Sequence, residues 1–188
     1  MTHQHQHVGI VRAYAGDEDR PLPGYLALMS TYALAASGLV AAARKRDASG
    51  ADLPDWSDLA RGGIATYRLS RLLTKASITS ALRAPLVRYQ GKGRPGEVIE
   101  EVAPEAKEHT TTHALAELIT CPFCLGQWIG TVIVTGHLIA PRVTRVATGI
   151  LVVAAASDAL QLAHAALERA AKGGERQDVP GNRSSQRG

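Results

Sequence analysis

Only two cysteines occur in the 188 residues, and both lie in the tetrapeptide Cys121-Pro122-Phe123-Cys124. A disulfide framework is therefore excluded as the source of stability, and what remains is a thiol pair or half of a metal site. Aromatic residues are equally scarce, at 4% of the chain against 45% hydrophobic residues overall. The apolar content is gathered into three long Ala/Leu/Val-rich runs and is not spread at helical or strand periodicity, which is the distribution of a membrane protein. No basic segment with a small-residue cleavage site flanks an early apolar core, so no cleaved signal peptide is expected. Acidic residues are absent from Arg61 to Arg94, where eight basic ones fall, although the net charge of the whole chain is only +4.

The first run, Gly24 to Ala43, has twenty uncharged residues. At ~1.5 Å per residue that crosses a ~30 Å hydrocarbon layer. The second run, Cys124 to Ala140, is also uncharged, and the third, Val146 to Leu167, contains one acid, Asp158. Arg44, Lys45 and Arg46 follow the first run, and the Lys/Arg bias predicts a cytoplasmic end there, with the N-terminus outside and the C-terminus inside. The expected fold is an all-α integral membrane protein. It has a flexible segment at 1–23 and a first transmembrane helix at 24–43. Basic amphipathic cytoplasmic helices with an acidic loop then fill 44–120. Spans at 121–140 and 146–167 form an antiparallel hairpin, and a disordered tail covers 168–188.

Within the basic segment, Asp55 and Asp58 mark a helix start. Ile64, Tyr67, Leu72, Leu73 and Ala76 then recur near helical spacing, with Arg68, Arg71 and Lys75 on a neighbouring face. A second short helix is expected from Ile78 towards Leu82, breaking at Pro85. A basic amphipathic helix beside a span suits the headgroup plane, where Arg61, Arg68, Arg71, Lys75, Arg83 and Arg88 would meet anionic lipid at roughly 1 kcal/mol each. Nucleic acid is not favoured, because no aromatic-interleaved motif accompanies the charges. The same residues would also serve simply to enforce positive-inside topology. From Glu97 to Glu117 six glutamates face a single Lys107, which reads as an intramolecular neutralising partner, in a short extended element or a loop. His3, His5 and His7 could bind a divalent metal weakly, or belong to a flexible polar terminus.

Pro122 suits the first turn of a helix, whose free N–H groups would favour the Cys121 thiolate. Cys-Pro-Phe-Cys resembles the glutaredoxin active-site tetrapeptide over those four residues, without the strand–helix–strand context. A closed zinc site needs more than two thiolates, so further ligands would have to come from His109, His113, His164 or a second protomer. A hairpin turning near Val143 sets Asp158 near Trp128 and His164 near Pro122. Cys121, Cys124, Asp158 and His164 would then converge as a redox or metal site. The alternatives are two small cysteines packed at a helix interface, and an Asp158 bonded to Gln127, Thr131 or Ser157 that only locks the hairpin. Gly126, Gly130, Thr131 and Gly149 would let helices approach closely.

The stretches LLTKASITSALRAPLVRYQG, ALAELITCPFCLGQWIG and SDALQLAHAAL, within about Gly62 to Leu167, together resemble the YjcA-like DUF1360 family of small bacterial integral membrane proteins. The resemblance implies a bacterial inner-membrane location. It brings no activity, cofactor or catalytic residue, because the family's function is unknown. The expected role is a non-enzymatic membrane interaction or scaffold protein, with membrane lipid, a protein partner or a second copy as partners and no cofactor. The alternative is a thiol-redox or zinc-binding membrane protein using Cys121 and Cys124.

Overall fold

The computed structural model describes residues 20–48 and 54–177. The His3, His5 and His7 triplet and the tail beyond Gln177 lie outside the described residues. In chain order the helices are α1 (Leu22–Ala48), α2 (Trp56–Lys75), α3 (Ser80–Arg83), α4 (Pro104–Lys107), α5 (Thr110–Thr120), α6 (Pro122–Ile139) and α7 (Pro141–Gln177). A 3-10 turn at Ser77–Thr79 precedes α3, and strands β1 (Val87–Lys92) and β2 (Val98–Val102) separate α3 from α4.

Three helices are long and apolar enough to cross a membrane, at Leu22–Lys45, Pro122–Ile139 and Pro141–Lys172. Their surfaces are inside-out relative to a water-soluble bundle. Leu34, Phe123, Val153 and Leu160 are among the exposed large apolar side chains, whereas Asp58, Thr74, Arg83, His137 and Thr148 are buried. In water that arrangement forfeits the hydrophobic driving force, but in lipid the outward apolar surface meets a like solvent. The third apolar helix outruns its expected end at Leu167, because the following Glu168, Arg169, Ala170 and Ala171 are strong helix formers and carry it to Gln177. The first ten residues of the expected disordered tail are therefore helical.

Helix directions depart from the expected topology. Gly24 of α1 lies so close to α5 that an added Cβ would stand 2.2 Å from the Thr110 carbonyl oxygen and 2.7 Å from the Ala114 Cβ. One residue on, the Tyr25 hydroxyl donates to Glu117. Further along, Tyr32 Oη lies 2.9 Å from Thr131 Oγ1, accepts from Gln127 Nε2 at 2.5 Å and meets the Trp128 ring edge-on at 5.3 Å. Leu39 and Ala42 reach the level of Thr135 and Ile139, with which they share a cleft. Helix α1 therefore runs parallel to α5 and α6. A three-span protein with a cytoplasmic link between its first two spans requires opposite directions, so that expectation fails.

The chain returns through α2, which lies along α6 and the first half of α7. Gly62 faces Ile133, Thr66 faces Gly130, and Ser70 faces Gly126, so α2 is antiparallel to α6. Asp58 pairs with Arg145 and Arg68 with Asp158, so α2 is parallel to α7. The basic helix expected on the membrane surface is instead an inner member of the bundle. Its buried face consists of Asp58, Gly62, Ala65, Ser70 and Thr74, whereas Ile64 and Tyr67 of the expected apolar face are exposed. Small residues let backbones approach, and that outweighs the bulkier face in choosing the contact.

At the end of α2 the chain forms a small unit. Strands β1 and β2 pair antiparallel, with Val87 opposite Val102 and Lys92 opposite Val98, and the register shifts between Tyr89 and Gly91. Gly96, at φ 77°, makes the turn that a side chain would strain. Ala103, Ala106 and Ala116 form its core with Leu86 and Val102. The acidic stretch does neutralise basic residues here, since Glu97 pairs with Arg71, Glu100 with Arg83 and Glu105 with Arg88.

Gly24→Ala and Gly38→Ala make a matched test of α1 packing. An added Cβ at Gly38 meets nothing within 4 Å. Gly38→Ala is expected to leave the thermal midpoint in detergent unchanged or to raise it, Ala being about 0.8–1 kcal/mol the better helix former. Gly24→Ala is expected to lower the midpoint, because α1 must move off Thr110. Equal midpoints for the two variants would contradict the close packing of α1 on α5.

Candidate functional site

Two polar groupings lie at opposite ends of the bundle. The first is centred on Asp58, 1% exposed at the start of α2. Asp55 caps this helix by accepting the Asp58 backbone N–H at 2.8 Å. That bond, and next the Ser57 hydroxyl, hold the Asp55 carboxyl below its usual range. Its folded form is thus favoured above the ordinary carboxylate pKa, and the advantage fades as pH falls through the depressed value.

The Asp58 side chain turns inward. Arg145 Nε donates to Asp58 Oδ1 at 3.0 Å and to Oδ2 at 3.1 Å, and Arg145 Nη2 donates to Oδ2 at 2.7 Å. Arg61 Nη2 adds a 3.2 Å contact to Oδ1, and His137 Nδ1 stands 3.8 Å from Oδ2. His137 is 3% exposed, and neither ring nitrogen has a hydrogen-bond partner. The sequence reading took Asp58 only as part of a helix start. Its partner lies 87 positions away, so no local spacing pointed to it.

Most of the expected lipid-binding cations are engaged within the protein. Arg61 contacts Asp58, and Arg68 Nε lies 3.1 Å from Asp158 Oδ2. The latter is charge contact without an aligned hydrogen bond, as Arg68 Nε has no hydrogen-bond partner. Arg71 meets Glu97 and Arg88 meets Glu105, while Lys75 is half-buried in the last turn of α2. Arg83 is 2% exposed and cannot reach a headgroup. Its Nε donates to Glu100 at 2.6 Å, its Nη1 to the Leu73 carbonyl at 2.5 Å, and its Nη2 to the Ala76 carbonyl at 3.1 Å. It thereby closes the carbonyl end of α2 and fixes β2 against it.

The second grouping surrounds the thiols. Cys121 ends α5 and caps α6, accepting the Cys124 backbone N–H at 3.3 Å, and the Cys124 thiol donates to Cys121 Sγ at 2.7 Å. Glu117, one turn earlier, takes the Tyr25 hydroxyl and lies 3.6 Å from His113 Nε2. The expected convergence of Cys121, Cys124, Asp158 and His164 does not occur. Asp158 turns to Arg68, and His164, 76% exposed, sits 3.3 Å from Glu168. The turn falls at Ala140, not near Val143, with Gly136 directly against Thr144, so the expected depths were misaligned. Among the described residues no three His, Cys, Asp or Glu side chains are grouped to hold a metal ion, so the proposed intramolecular zinc set is not formed.

Between the two groupings, α1, α2 and α6 enclose an open cleft of about 630 Å³ that includes Tyr32, Thr66, Ser70, Gln127 and Gly130. A bundle with outward apolar helices, inward ion pairs and a small folded unit at one end defines a helical protein of membrane type. The family model described as a protein of unknown function, DUF1360, matches residues 63–164, more than half of the chain. The chain belongs to that family. The match takes in α2 from its second turn, the strand pair, the thiols and Asp158, and leaves out α1 and Asp58. No curated protein and no solved structure matches the chain.

Arg145→Ala would leave the Asp58 carboxylate buried without its main partner. Arg145 is half-exposed and Arg61 stays at 3.2 Å from Asp58, so the cost is expected to fall short of the about 3–5 kcal/mol of a fully buried pair while still lowering the thermal midpoint in detergent. Asp158 is 47% exposed, and Asp158→Leu is expected to cause a smaller fall by stranding Arg68. A higher midpoint for Asp158→Leu than for wild type would show that Arg68 gains nothing from the pair.

Proposed function

We propose that the chain is a non-enzymatic interaction protein that crosses the membrane four times and holds the unit at 76–120 against the cytoplasmic leaflet. The observation that carries this reading is the common direction of α1 and α6. Two apolar helices running the same way need a return between them, and α2 has the length and the inward partners to supply it. Lys/Arg asymmetry supports the orientation. Arg20, Lys75, Arg83, Arg88, Lys92, Arg94, Lys107, Arg169 and Lys172 belong to the end with the thiols, against Arg44, Lys45, Arg46, Arg61, Arg142 and Arg145 at the other. Both ends of the described chain are then cytoplasmic.

Exposure narrows the lipid-facing set to the strand pair and its turn, where Arg88, Lys92 and Arg94 are exposed. Each such cation contributes roughly 1 kcal/mol beside an anionic leaflet. The inward cations of α2 serve the bundle instead, which separates an anchoring half from a recognition half within one segment.

Reporter fusions distinguish this reading from a three-span one. A periplasm-dependent reporter inserted between Ala48 and Trp56 is expected to be active, and the same reporter at either terminus inactive. Activity at the N-terminus with silence at the insertion would overturn the four-crossing reading. For the lipid half, Arg88→Glu, Lys92→Glu and Arg94→Glu together are expected to strip co-purifying phosphatidylglycerol and to abolish the salt dependence of its retention. Unchanged lipid retention would remove the hairpin from that role.

A further inference from the structure

The two thiols take no part in the ion pairs that hold the bundle, yet they carry an arrangement with its own chemistry. Their sulfurs are in direct contact, at 2.7 Å, where α5 breaks and the 18-residue α6 begins. The contact is directional. Cys121 Sγ accepts both the backbone N–H and the thiol of Cys124 and stands at the positive end of α6, which makes it the attacking sulfur of the pair. Cys124 is the donor.

Glu117 adds a negative charge. Its carboxylate is within electrostatic reach of Cys124 and is held by the Tyr25 hydroxyl of α1. The Tyr25 link ties this carboxylate to a different helix from the one carrying the thiols. The flank is open and apolar, with Phe123 between the two cysteines 91% exposed and Pro122 and Phe123 lining the cleft mouth.

We propose that Cys121 and Cys124 form a redox-active dithiol that reduces small uncharged disulfides. The Cys121 thiolate attacks one sulfur of the substrate, a Cys121–substrate bond forms, and the substrate S–S bond breaks. The expelled thiolate takes a proton from solvent. The Cys124 thiol then loses its proton to solvent and attacks Cys121 Sγ, which closes the Cys121–Cys124 disulfide and releases the second substrate thiolate, which takes a proton from solvent in turn. Two electrons pass from the dithiol to the substrate disulfide, and two substrate thiols leave. An uncharged substrate is favoured because Glu117 beside the pair and the apolar flank both oppose an anion. On the cytoplasmic side the pair would rest as dithiol, with oxidation a passing event. The inference stands apart from the anchoring role, and failure of either leaves the other intact.

The test uses the full reduced chain in detergent with bis(2-hydroxyethyl) disulfide at pH 7, followed by intact-mass and free-thiol analysis. Wild type is expected to lose both thiols with no retained adduct. Cys124→Ser is expected to accumulate one adduct on Cys121, and Cys121→Ser to react roughly tenfold more slowly at Cys124, following the smaller thiolate fraction. Stable adducts on both cysteines of wild type, or equal rates for Cys121→Ser and Cys124→Ser, would overturn the proposal. Far-ultraviolet circular dichroism of each variant separates a chemical defect from misfolding.

Discussion

The bundle depends on keeping the charges of α2 paired where neighbouring surfaces are apolar. Asp58 is held by Arg145 with three hydrogen bonds, and Arg68 lies against Asp158 about three turns further along α2 and between three and four along α7. These two contacts fix both the direction and the depth of α2 against α7. Only Asp58 of these four groups is fully buried, and partly exposed ion pairs add little net stability, so the two contacts act as registration devices more than as glue. The attraction that brings the helices together comes from close approach at Gly62, Gly126 and Gly130.

That division of labour explains why the chain tolerates so many charges inside a lipid-facing assembly. Helices α1, α6 and α7 turn Leu, Val and Phe outward, and the polar groups that α2 contributes are absorbed by partners on α7. At the other end, Arg83 performs a comparable task in the small unit, joining the last carbonyls of α2 to Glu100 on β2. One basic segment thus supplies an inner helix, a structural clasp and an exposed hairpin.

The three apolar runs were legible from hydropathy, and so was the neutralisation of the basic segment by Glu97, Glu100 and Glu105, because charge blocks of opposite sign adjoin in sequence. Family membership was legible from the block around Cys121. The common direction of α1 and α6 was not, since charge bias says nothing of which helices touch, and only contacts such as Tyr32 with Gln127 reveal it. The place of α2 was hidden for a different reason. Its buried face is made of Gly, Ala, Ser and Thr, which give no hydrophobic period, and its arginines lower its hydropathy below that of a span. The site involving Asp158 and His164 failed because the turn came at Ala140, shifting α7 along α6, and because the intervening α2 offered Arg68 as a nearer partner.

The central claim is that α1 and α6 run in the same direction, which obliges α2 to return between them. Spin labels in a Cys121→Ser, Cys124→Ser background test it, with Lys45 labelled in combination with either Ile139 or Phe123. The sixteen residue steps from Phe123 to Ile139 cover about 24 Å of helix. The account predicts a short Lys45–Ile139 distance and a Lys45–Phe123 distance longer by up to about that length. The reverse order, with Lys45 nearer Phe123, would contradict it.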